Sequence, residues 1–242
     1  MRPSVVKKAG KGSAMTHPHQ ETPVNPMPPV VVALFLVLAG IEGAFALADR
    51  GLLGGAGGVG WRIEALNRFG FSGRVMDWML QTGQTPAEHL VRFLAYPFVH
   101  ASFSHALFAM VILLAMGKLV AESLGTLAFV AIFMISALAG ALAYGLLLDD
   151  PRLLVGAYPP VYGLIGGYTF LLWTGLGAMG QARYRAFTLI GFLLGIQLIF
   201  GVLFGGGSDW VADVAGFATG FFLSFLFVPG ALQRVLAKFK RD

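Results

Sequence analysis

The sequence predicts an all-helical membrane protein, a bundle of six transmembrane helices, and three observations predict it. Of 242 residues 57% are hydrophobic, and 33 glycines come on top of that figure; soluble domains reach only about 45–50% with glycine included. Charged residues make up 12% of the chain, about half the usual share. The ionisable residues also gather at boundaries, leaving six charge-poor stretches near the length of about 20 residues that a spanning helix needs. A soluble enzyme, a disordered chain and a nucleic-acid binder are excluded. The absence of cysteine also excludes disulfides, thiolate metal sites and a cysteine nucleophile.

Taken in order, residues 1–29 hold six of the twelve prolines and the basic residues Arg2, Lys7, Lys8 and Lys11 without any period, and they read as a disordered tail. The run Val30–Ala48 is too long for the apolar part of a signal peptide and reads as the first span; Glu42 inside it is expected to hydrogen-bond within the bundle. Residues 49–92 change character, with six glycines between 51 and 60 and then Trp61, Arg62, Phe69, Phe71 and Trp78 among charges. A long interfacial first loop with short helices fits this pattern.

The second span is expected over Phe93–Gly117, which contains His100 and His105. Four further spans, Ser123–Leu148, Leu153–Ala182, Ala186–Ser208 and Val214–Gln233, contain no charge. A membrane domain of residues 30–230 then ends in a basic tail, 231–242, with Arg234, Lys238, Lys240 and Arg241. Segments expected inside carry eleven Lys and Arg and those outside six, so both termini are expected in the cytoplasm. The glycine pairs 163/167, 191/195, 201/205 and 216/220 are spaced for close helix packing inside the bundle.

Three segments together carry a family resemblance. Arg92–Glu122, RFLAYPFVHASFSHALFAMVILLAMGKLVAE, has an opening arginine, the pair His100 and His105, and a late Gly117 and Glu122. Residues 156–168, GAYPPVYGLIGGY, contain Gly156 and Gly163, and residues 212–220, ADVAGFATG, contain Gly216 and Gly220. In order and spacing they resemble the second, fourth and sixth helices of the rhomboid family of intramembrane serine proteases. The resemblance implies a six-helix rhomboid-like bundle with a long first loop, over roughly residues 30–230.

The departures from that family fall on its chemistry. The resemblance places the family's serine nucleophile at Tyr158 and its histidine base at Asp213. His105 matches the histidine that helps hold the oxyanion, whereas the asparagine sharing that role is Ala109, and the glycine after the nucleophile is Pro159. Nucleophilic catalysis needs a hydroxyl or thiol activated by a base, and Asp213 would be a weak base toward Tyr158, a phenol with a reference pKa near 10. Tyr-Pro-Pro at 158–160 suits a helix start. Asp213 is expected to hydrogen-bond Tyr158, the alternative being an aspartate open to water at the helix end.

The other polar residues have plainer readings. Ser102 and Ser104 are expected to cap the second helix, Asp149 and Asp150 to form a solvated turn before Pro151, and Tyr162 to pack in the core. His17, His19 and His89 lack the further ligands a metal site needs, and no metal or cofactor is expected.

The resulting reading is a rhomboid-fold pseudoprotease in a membrane, the bacterial inner membrane being the expected one. It would have lipids and the transmembrane segments of single- or multi-span client proteins as partners. It would bind clients through the lateral opening between helices two and five that the resemblance implies, and affect their stability or trafficking. Two alternatives are an intramembrane serine endopeptidase with an unconventional nucleophile, among Ser102, Ser104, Ser136 and Ser208, and a non-catalytic lipid-perturbing or small-solute component lined by Glu42, Asp213 and the histidines.

Overall fold

The computed structural model describes residues 26–204 and 207–228; most of both predicted tails, with His17 and His19, and Gly205 lie outside them. Helix α1, Pro29–Ala48, opens with proline at its first position, where a missing N–H costs nothing. The first loop then folds into α2 (Trp61–Phe69), a two-residue strand β1 (Phe71–Ser72), α3 (Gly73–Thr82) and α4 (Ala87–Ala95). Five longer helices follow: α5 (Phe103–Leu124), α6 (Thr126–Leu147), α7 (Tyr158–Ala178), α8 (Thr188–Phe204) and α9 (Trp210–Phe227). Strand β2, Leu153–Leu154, lies between α6 and α7 and pairs antiparallel with β1, Phe71 opposite Leu154.

The fold is therefore an all-α bundle. Five helices, α1, α5, α6, α7 and α9, are long and apolar enough to cross a membrane. At 17 residues, α8 lies at the short end of spanning helices. Large apolar side chains are exposed on these helices, among them Phe108, Leu127, Leu146 and Phe222, as suits a lipid-facing surface.

One predicted boundary is wrong. The second span does not run from Phe93 to Gly117: α5 begins ten residues later and continues to Leu124. Phe93 and Arg92 belong to the separate helix α4, which is ended by a single 3-10 turn at Tyr96-Pro97-Phe98. Pro97 has no N–H to continue a helix, and Ser102 then starts a new one by accepting the His105 N–H at 3.2 Å. The expected capping role of Ser102 is what the geometry shows, with Ser104 Oγ 3.2 Å from Ser102 Oγ.

Helix α7 is the axis of the bundle, packed against α9, α6 and α5, while α1 leans on α5. Glycine makes the α7–α9 contact possible. A methyl group at Gly216 would overlap the Pro159 carbonyl, one at Gly220 the Gly163 carbonyl, and one at Gly166 the Phe217 carbonyl. The pairs 163/167 and 216/220 thus pack as expected, but Gly191 and Gly195 on α8 have nothing within 4 Å of an added methyl. Among the described side chains of α8, Leu189, Ile190, Leu193 and Leu194 join Tyr162 and Ile165 in a third core.

The first loop is not loosely attached. Phe71, Met76 and Met79 join Tyr96, Ala137 and Tyr144 in a second core beside α6, and Gly145 leaves room for the Met76 thioether. Glu42, 2% exposed, receives both Nη1 (2.9 Å) and Nη2 (2.7 Å) of Arg62. Arg62 Nη1 also donates to the His100 carbonyl at 3.1 Å. This doubly bonded ion pair, of the geometry that suits guanidinium to carboxylate, pins α2 to α1 and to the entry of α5.

Candidate functional site

The site is built where the first turns of α5, α7 and α9 meet. Gly156 has φ +91°, a conformation that costs glycine nothing, and it lets the chain pass so close to His100 and His105 that a methyl would stand 2.7 Å from His105 Cε1. Ala157 then donates its N–H to His100 Nε2 at 3.2 Å. His100 is 1% exposed, and burial, helped by the Arg62 guanidinium, pushes it down to about 3. It is a neutral acceptor that ties the α4–α5 connection to the start of α7.

Next in the chain, Tyr158 opens α7 and stacks its ring on His105, with centroids 4.9 Å apart and planes 13° from parallel. His105 in turn meets His100 edge-on at 5.5 Å, and its Nδ1 accepts the Ala101 N–H at 3.4 Å, which assigns its proton to Nε2. Ala109, one turn further along α5, is fully buried. The aromatic stack fills the space between the first turns of α5 and α7.

Asp213 projects from the first turn of α9 and is 1% exposed, so it does not open to water at the helix end. Nor does it hydrogen-bond Tyr158 as expected. Its Oδ2 accepts from Gln197 Nε2 of α8 at 2.8 Å, while Gln197 Oε1 accepts from the Tyr162 hydroxyl at 3.3 Å. Tyr162 is thus a core residue with a polar task. The Tyr158 ring lies flat on His105 of α5, and it is Gln197 of α8 that reaches Asp213.

Gln197 escaped the sequence reading, although a signal was present. It is the only amide in the charge-free run from Ala186 to Ser208, and a lone amide inside an apolar helix needs a partner across a helix interface. Arg62 was visible only as one charge among many in the loop. Asp150 also departs from expectation: instead of a solvated turn residue it is largely buried and held by the Arg152 guanidinium, with bonds at 3.1 and 3.0 Å that keep it below the usual carboxylate range. Asp149 is exposed.

The remaining expected residues are placed around this centre rather than in it. Arg92 donates to the Gly70 carbonyl at 2.9 Å and so braces α4 against the turn after α2. Glu122 pairs with Lys118 one helical turn away. Ser136 is fully buried in α6 against Gly163, and Ser208 lies beside Asp150. Among the described residues, no hydrogen bond joins a serine hydroxyl to a histidine ring.

Comparison with known proteins decides the family. Residues 87–230 match the family model of the rhomboid domain, more than half of the chain. The protein belongs to the rhomboid family. It is similar to the RHOMBOID-like protein 4 of Arabidopsis thaliana, with 31% identity over 138 residues, 56% of this chain and 33% of that protein. The chain therefore matches about a third of the length of that rhomboid relative. The matched rhomboid domain contains α5 to α9 and with them the whole cluster of His100, His105, Tyr158, Gln197 and Asp213.

Proposed function

We propose that this rhomboid-family protein is a pseudoprotease that binds transmembrane segments of client proteins and affects their stability or trafficking. The single observation that carries the reading is the Tyr158–His105 stack beside the Gln197–Asp213 hydrogen bond. At the positions where the family resemblance puts nucleophile and base, a phenol lies flat on an imidazole and a carboxylate is held by an amide. Acyl transfer needs a nucleophile whose proton a base can take at about 2.6–3.2 Å, and donors aimed at the developing oxyanion; Pro159 has no N–H and Ala109 no side-chain donor.

Client binding would use the side between α5 and α8. Support comes from α8 itself, which presents Phe192, Ile196, Ile199 and Leu203 to its surroundings and, among its described side chains, meets the bundle through Leu189, Ile190, Leu193, Leu194 and the amide of Gln197. Such a helix can yield to a competing apolar helix, since in lipid helices associate through packing and interhelical hydrogen bonds rather than through exclusion from water. We place both termini on the cytoplasmic side of a cytoplasmic membrane, on the excess of Lys and Arg in the inner segments.

The test is cleavage of a fluorogenic transmembrane substrate by the purified protein in liposomes, beside recovery of single-span proteins crosslinked to it in the membrane. The native protein is expected to leave the substrate intact and to capture spans. Cleavage that a serine-directed phosphonate abolishes would overturn the reading.

A further inference from the structure

Asp213 has two carboxylate oxygens and only one of them is used. Oδ2 accepts from Gln197, while Oδ1 is buried and has no hydrogen-bond partner among the described residues. Two nearby hydroxyls are committed elsewhere: that of Tyr96 donates to the Ala137 carbonyl at 2.9 Å and that of Tyr162 to Gln197. A half-satisfied carboxylate inside a membrane bundle is costly and marks function more often than structure.

The charge around this carboxylate is negative. Asp209, the N-cap of α9 one helical turn earlier, is close enough for its charge to be felt at Asp213. Among the described residues, Gln197 of α8 is the polar link to Asp213. A span that replaces α8 at this surface therefore meets a buried acid that lacks a donor.

We propose that Asp213 is the recognition residue for client spans, selecting a transmembrane segment that carries a basic side chain, Lys or Arg, about one turn inside the membrane. The inference rests on the client-binding reading and sharpens it. The depth follows from the helix: Asp213 is the fourth residue of α9, about 5 Å along an axis that rises about 1.5 Å per residue. The end concerned is the one that α9 shares with the starts of α5 and α7. In the apo protein Gln197 holds one carboxylate oxygen; the client's cation engages the other and competes for the first.

The experiment uses the full chain in liposomes and a labelled Leu/Ala host span, read by energy transfer. Three forms of the host are compared: one with Lys one turn inside the end nearest Asp213, one with Lys at mid-span, and one without Lys. The native protein is expected to bind the first roughly three- to thirtyfold more tightly than the third, the range of interhelical polar contacts in membranes. The mid-span Lys should bring no such gain. Asp213→Asn is expected to lose the preference between the near-end Lys host and the Lys-free host, and its thermal melt in detergent shows whether the variant is folded. On the peptide side, Glu in place of the near-end Lys should weaken binding, a result that needs no variant.

Equal binding of the three hosts by the native protein, or a preference that survives Asp213→Asn, would overturn the inference and leave client binding standing. Binding of no host at all would overturn the reading beneath it.

Discussion

At the scale of single residues, the site is a set of side chains each held by one partner, and His100 shows what such holding costs. Its imidazole must stay neutral to accept the Ala157 N–H, and burial pushes it down to about 3, whereas an unfolded histidine titrates near 6.5. Between those values the unfolded chain binds the extra proton. Stability is therefore fully present above about pH 6.5 and is lost as pH falls toward 3. From pH 6.5 to 5 the loss amounts to about 2 kcal/mol. Thermal melts in detergent should show the midpoint falling over this interval, and His100→Gln, whose amide oxygen can still accept the Ala157 N–H, should flatten it. Equal slopes in the two proteins would assign the effect to another group. The same residue-level bookkeeping separates what was legible here from what was not. Asp213 stood out in the sequence because a carboxylate in an apolar helix always needs a partner. Which partner it takes depended on Gln197 of α8 facing it, and nothing in a linear pattern specifies which residues of two helices face each other.

At the scale of helices, the α7–α9 contact is the one the sequence spells most directly. Glycines at 163, 166, 216 and 220 bring two backbones together so closely that a single methyl at 216 or 220 strikes a carbonyl of α7. Gly216→Ala is expected to destabilise the protein by about 1–3 kcal/mol through overpacking. Gly191→Ala on α8, where an added methyl meets nothing, should be neutral or slightly stabilising, since alanine favours helix over glycine. Denaturation of both variants in the same detergent checks the pair, and equal effects would mean that α8 is packed as tightly as α9. Identical four-residue spacing thus had two outcomes, because spacing shows that a close approach is possible but not that a neighbour is there to use it. The start of α5 teaches a similar lesson. Hydropathy runs unbroken through Phe93–Val99, so the span was expected to begin there, but Pro97 and the Ser102 cap divide the run into two helices.

At the scale of the whole molecule, the first loop and the bundle behave as one body because Arg62 crosses from α2 to Glu42 in α1. Removing Arg62 leaves Glu42 an uncompensated buried charge, at a cost of about 3–5 kcal/mol. Removing Glu42 leaves Arg62 its ion pair with Asp49 and costs less, and replacing both by apolar side chains is often tolerated. Arg62→Met and Glu42→Leu should each lower the melting temperature and speed proteolysis within residues 49–92, and the double variant should regain most of both. Additive losses would show that the pair contributes little beyond its separate residues. The sequence by itself determined the class of this protein: a composition this apolar can satisfy its backbone in lipid only as helices, and three spaced motifs were sufficient to place those helices in the rhomboid family. Through the resemblance it also named Tyr158 and Asp213 as the residues at the family's nucleophile and base positions, since that is a matter of identity alone. Only the tertiary structure decided what those two residues contact. The pairing of Gln197 with Asp213, the stacking of Tyr158 on His105 and the Arg62–Glu42 tie join residues 16, 53 and 20 positions apart, and such contacts depend on how helices rotate and approach one another, which no local period encodes.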